Sequence, residues 1–191
     1  MTSYNDSDDV LGTQIWQERH DLHYRVQLSV LYHRKRERFF DVCDKVVKAI
    51  AVIAASSAIT PLVAGGYLNA VQLLIVITST FALVFDWSGR ARRHSDFAVR
   101  YAQMERDMVA KGVSEFSTED LKRWGAELVE VQSGEPAALH GLVQVCQDEL
   151  DMAAGVRVEP SRLTVMRKML AHLGLGSMDV QPQVHAAPAQ P

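Results

Sequence analysis

Between Lys48 and Asp86 the chain has no charged residue of either sign. Asp, Glu, Lys and Arg make up 23% of the 191 residues, so a solvated domain would show a charge about every four or five positions. An uncharged run of 37 residues excludes an ordinary soluble surface over residues 49–85. Cysteine is almost absent: Cys43 and Cys146 have no metal-type spacing, which points to free, buried thiols in a reducing compartment. The net charge of −3 gives no global basic field, so nucleic acid is not an expected partner. The start of the chain is acidic and polar, unlike a signal peptide, so a membrane segment would itself have to direct targeting. No glycine loop follows a strand to cradle phosphate; Gly174-Leu175-Gly176 instead follows a predicted helix. No Ser, His and Asp fall into a triad-like spacing, no convincing strand or internal repeat is present, and catalysis has no positive support. The expectation is a non-enzyme without a cofactor or metal.

The uncharged block carries the strongest signal. A mean hydropathy of −0.04 conceals it, because polar arms dilute an apolar centre. About 20 residues cross the hydrocarbon of a bilayer, and the block is about twice that length. Gly65-Gly66, with Pro61 before and Asn69 after, supplies a turn at its middle. The sequence therefore predicts two antiparallel transmembrane helices, spanning about 42–64 and 67–87. Two buried soluble helices would need a large apolar partner surface, which the polar remainder is too short to provide. Ten Lys and Arg lie in 33–48 and 86–100 and none lies in the loop, so both termini are expected in the cytoplasm. Trp87 and Tyr67 suit the interfaces, and Lys45 and Lys48 can snorkel.

The arms read as helices, giving an all-α fold. Residues 9–44 have no Gly or Pro after Gly12 and predict one long helix running into the first span, with Tyr24, Leu28, Leu31, Lys35 and Phe39 on one face. Residues 90–111 predict a second, with a stripe of Phe97, Tyr101, Met104 and Met108 that could pack on the first. Gly112 ends it. Ser117, with Glu119 and Asp120 behind it, caps a helix to about Gln132. Pro136 is expected to open a helix to about Ala154, and Pro160 a last one to about His172. Residues 177–191, rich in Pro, Gln and Ala, are expected to be disordered. The domain plan is a hairpin domain with its flanking helices over 1–110, a cytoplasmic helical region over 113–174, and the tail.

His20 and His23 share a helix face, but two ligands do not make a metal site. His33 and His94 flank the hairpin beside arginines and are expected to be interfacial polar residues. The basic residues Arg34, Lys35, Arg36 and Arg38, with Arg90, Arg92 and Arg93, lie against the spans, where anionic headgroups are their expected partners. The spans are rich in small residues, with Ala51/Ala55 and Ala54/Ala58 permitting close helix contact. They also carry hydroxyls and amides: Ser56, Ser57 and Thr60 in the first, Gln72, Thr78, Ser79 and Thr80 in the second. Hydroxyls can bond back to the backbone, and such faces suit helix contacts or the wall of a pore. Ser56, Ser57, Thr60, Gln72 and Ser79 are the candidates for that role. Two helices cannot enclose a pore, so conduction would need a homo-oligomer, most simply a symmetric ring. No intramembrane charge supports a pump.

The run from Tyr32 through His33, Arg34, Lys35, Arg36, Glu37, Arg38 and Phe39 to Phe40 leads into the first span. The second exits through Asp86, Trp87, Ser88, Gly89, Arg90, Ala91, Arg92, Arg93 and His94, followed by an amphipathic helix with Phe97, Tyr101 and Glu105. Over residues 15–110 this layout resembles the SLATT family of bacterial two-transmembrane proteins. The resemblance implies an inner-membrane effector of antiphage defence that oligomerises and opens a pore when a nucleotide second messenger or a sensor protein triggers it. The chain has no recognisable nucleotide-binding domain, so the resemblance leaves open whether a separate protein or the helical C-terminal part senses the signal. The alternative expectation is a membrane-tethered scaffold whose residues 113–174 recruit a cytosolic partner; a membrane-bound enzyme or regulatory subunit is a weaker third.

Overall fold

The structure, a computed structural model, describes residues 4–55, 68–112 and 115–156. Among the described residues it is all-helical, with no strand. The elements are α1 (Tyr4–Ala55), α2 (Leu68–Phe85), α3 (Trp87–Ala110), α4 (Thr118–Ser133) and α5 (His140–Ala153). The chain divides into two compact units, Met1–Pro136 and Ala137–Pro191.

The first unit is organised by α1, a single helix of 52 residues. At 1.5 Å per residue it is about 78 Å long. It passes without a break from the charged arm into the uncharged run. The expected turn at Gly65-Gly66, the candidates Ser56, Ser57 and Thr60, the helix after Pro160 and the tail all lie outside the described residues.

Asp86 alone separates α2 from α3, and its backbone is left-handed (φ 41°, ψ 54°). An Asp tolerates this conformation better than most side chains. Its carboxylate accepts the Gly89 N–H at 3.1 Å, and its carbonyl accepts the Arg90 N–H at 3.0 Å. A Cβ on Gly89 would fall 2.1 Å from the Asp86 Oδ2 atom, so the cap and the glycine require each other.

One core joins α1, α3 and α4. Leu22 and Val26 meet Tyr101, Met104 and Met108 of α3 and Leu121, Trp124, Leu128 and Val131 of α4. Fully burying each large apolar side chain contributes roughly 1.5–3 kcal/mol, so this is where the unit's stability concentrates. Of the expected α3 stripe, Tyr101, Met104 and Met108 are buried and Phe97 packs partly buried against them. The α1 stripe is not buried: Tyr24, Leu28, Leu31, Lys35 and Phe39 are only half-buried. Leu22, Val26, His33 and Phe40 pack inward instead, roughly 150° around the helix.

Arg19 bonds the Met108 and Gly112 carbonyls, each at 3.2 Å, and so satisfies groups that the end of α3 leaves open. Gly112, at φ +71°, supplies the expected stop. Ser117 forms a full capping box with Asp120 at the start of α4. The Asp120 carboxyl is held down at about 2, first by the Ser117 N–H and then by Lys111 and the Ser117 hydroxyl. In the second unit, α5 buries Leu142, Val145 and Cys146. It starts at His140, four residues after Pro136. Residues 135–139 are not helical, so the start that Pro136 suggests is displaced to His140.

Candidate functional site

Two features stand where α1, α2 and α3 converge. The first is a band of exposed apolar side chains. Val46, Ile50, Val52 and Ile53 of α1 and Leu73, Leu74, Ile75, Val76, Ile77 and Val84 of α2 all face out, with Val52 and Val84 each 69% exposed. Soluble monomers rarely expose a contiguous apolar patch above a few hundred Å². Gln72 and Ser79 are exposed on the same helix. Thr78 and Thr80 donate to the Leu74 and Val76 carbonyls at 2.7 and 2.8 Å, so their hydroxyls are satisfied within the helix, as the sequence leads one to expect. Among the described residues no helix is long and apolar enough to cross a membrane. At 18 residues, α2 measures about 27 Å, slightly short of a hydrocarbon core of about 30 Å.

The second feature is a buried histidine pair. His33 and His94 are 1% and 5% exposed, so they are not the interfacial residues that their position in the sequence suggests. Each falls on its helix's buried face, one turn or two from core residues, and the packing of α1 on α3 carries both rings inside. Their Nδ1 atoms are 2.8 Å apart, so one must donate and the other accept. His33 Nε2 meets Glu135 Oε1 at 3.0 Å, and the Tyr101 hydroxyl donates to that same oxygen. With both rings neutral, one assignment satisfies the chain: His94 donates to His33, and His33 and Tyr101 donate to Glu135. Burial, followed by the nearby His33 and Arg36, lowers the His94 pKa to about 4. Burial and the bond to Glu135 raise that of Tyr101.

Aromatic rings enclose the pair. His33 stacks on Tyr101 and Phe97, and His94 on Phe40. The Arg36 guanidinium lies 4.4 Å from the centre of the Phe40 ring, and burial lowers its pKa. Trp87 stacks on Phe85 and packs against Phe40, which links the pair to the foot of α2. This collar bonds α1 to α3 at the end of the apolar band, which α1 enters and from which α3 follows α2.

Beside the collar a groove of about 480 Å³ opens between α1 and α3, lined by Arg34, Arg38 and Arg92 and by Glu37, Asp41 and Asp44, with Ser88, Ala91 and Ser95. Of the seven basic candidates the structure thus brings three together. Arg36 belongs to the collar, Lys35 is half-buried on α1, and Arg90 and Arg93 are exposed on α3. Glu135 and the histidine pair are what the sequence did not reveal as a unit. Among the described residues no group of three or more His, Cys, Asp or Glu is arranged to hold a metal. His20 is exposed, and His23 lies 3.8 Å from Glu105. Comparison with family models, with curated proteins and with solved structures found no match in any of the three.

Proposed function

We propose that the chain is an inner-membrane effector whose apolar hairpin inserts in the bilayer, with both termini cytoplasmic, and which oligomerises into a pore in nucleotide-signal-triggered antiphage defence. The observation that carries the membrane part is the exposed apolar band, continuous in sequence with the uncharged run 49–85 and flanked by basic residues. The defence part rests on the resemblance to the SLATT layout. Within that reading the collar, beside the core that α1 and α3 share, is the element on which a trigger acts to shift the hairpin from a closed to an open assembly.

Flux of ions or dye from liposomes tests it. Purified protein is expected to release the contents once triggered, and Ser56→Leu, Thr60→Leu and Ser79→Leu together are expected to abolish release while leaving insertion intact. Absence of release under any trigger would overturn the pore.

The second reading is a membrane-tethered scaffold, favoured by the separate unit Ala137–Pro191. It predicts stable capture of a cytosolic partner that depends on residues 113–174, without flux.

A further inference from the structure

The groove between α1 and α3 is balanced in charge on its lining, yet its charges are not equally free. Glu37 is bonded to Arg34 at 2.9 Å. Asp41 and Asp44 are each bonded at 2.6 Å to Lys45 and Lys48, one turn further along α1. All three carboxylates therefore already have cationic partners. Among the described residues Arg38 and Arg92 have none. They belong to different helices and line the same groove. Arg92 and Ser88 lie in the first two turns of α3. Five cations thus stand against three carboxylates, and the excess consists of two planar, fork-shaped donors suited to phosphate oxygens.

We infer that this groove binds a phosphate group, bridged between Arg38 of α1 and Arg92 of α3. The proposal rests on the membrane reading only for the source of that group: at the foot of the hairpin it is the headgroup of an anionic phospholipid, whereas a chain outside the membrane would take a soluble phosphate. In either case the ligand ties together the two helices that the histidine pair also joins, so occupancy favours the closed arrangement of α1 and α3.

The test titrates the purified full chain, in non-ionic detergent at low salt, with dihexanoylphosphatidylglycerol and separately with inorganic phosphate, read by calorimetry. Saturable binding is expected, weakened roughly tenfold or more by Arg38→Ala and by Arg92→Ala, with helicity and monodispersity unchanged. Arg106→Ala, an exposed arginine further along α3, is the control and is expected to bind as the native chain does. Binding of the lipid alone assigns the headgroup, and binding of inorganic phosphate alone assigns a soluble source; both support the groove. No saturable binding of either probe, or equal weakening by Arg106→Ala, overturns it. Membrane integration is measured separately by vesicle flotation. A chain that floats but binds neither probe loses the groove alone, and one that binds phosphate through Arg38 and Arg92 without floating loses the membrane reading alone.

Discussion

The two ends of the first unit use the same kind of side chain in opposite ways. Around Trp124 and Tyr101, apolar residues recur on one face of each helix and turn inward. Among the described residues, large apolar side chains of α1 from Val46 to Ile53 and of α2 from Leu73 to Val84 face out instead. An amphipathic stripe implies water on the other side, and an all-round apolar surface implies none. Stability in one region should therefore respond to side-chain volume, and integration in the other to charge.

The largest expected effect tests that division at the core. Trp124→Ala empties the centre of the α1, α3 and α4 packing and is expected to cost about 3–5 kcal/mol, seen as a lower denaturation midpoint, whereas Val76→Ala should change stability by less than about 0.5 kcal/mol. The reverse substitution type separates the regions from the other side. Val76→Arg places a charge in the middle of the band and is expected to cost about 3 kcal/mol of insertion, read as a larger carbonate-extractable fraction, with the core around Trp124 still folded. If it extracts no more than the native chain, the band is not in lipid.

A smaller effect sits at the collar between the two regions. The His94 pKa in the folded chain, about 4, lies below its ordinary value of 6.5. Above pH 6.5 both folded and unfolded states are neutral and the stability is fully present. As pH falls from 6.5 towards 4, only the unfolded state gains the proton and stability is lost, by about 2 kcal/mol at pH 5. Arg36, Arg93 and His33 oppose a charge on His94, while Glu135 favours one. Burial also lowers the His23 pKa, which adds loss in the same direction. The difference between the native chain and His94→Leu in thermal melts from pH 7.5 to 5 isolates the His94 share; equal slopes would contradict the buried pair. Asp120 contributes outside this window, since its depressed carboxyl loses its contribution only as pH falls from about 4 towards 2.

The smallest effect is at the junction. Gly89→Ala gains up to about 1 kcal/mol of helix propensity and loses the Asp86 cap, worth about as much. Its net stability change is expected near zero, while the α2–α3 junction alters. Spin-label distances between the two helices check this.

How much of this was legible in the sequence follows local chemistry. The Ser117 capping box, the Gly112 stop and the stripe from Phe97 to Met108 are set by residues within a few positions of one another, and each stands where its spacing predicts. The buried face of α1 was ambiguous because the helix carries two apolar stripes. Tyr24, Leu28, Leu31 and Phe39 form a regular one, and Leu22, Val26 and Phe40 form a second that polar His33 interrupts. Packing against α3 decides between them, and that is a contact between residues far apart in the chain. The histidine pair was hidden for the same reason: the rings are 61 positions apart, and Glu135 lies a further 41 beyond His94. A signal was present, since His33 lies in register with Leu22, Val26 and Phe40, and His94 with Ala98 and Tyr101. Pro136 misleads in the opposite way: a proline tolerated in a helix's first turn does not require one, and the helix starts at His140 behind Leu139.

Everything proposed for the hairpin depends on which compartment each end occupies. In a cysteine-free background, Gly66→Cys and Ser117→Cys are treated in intact cells with a membrane-impermeant thiol reagent. The account predicts labelling at position 66 before permeabilisation and at position 117 only after it. Labelling of neither before permeabilisation and of both after would mean that the run 49–85 does not carry its centre across the bilayer.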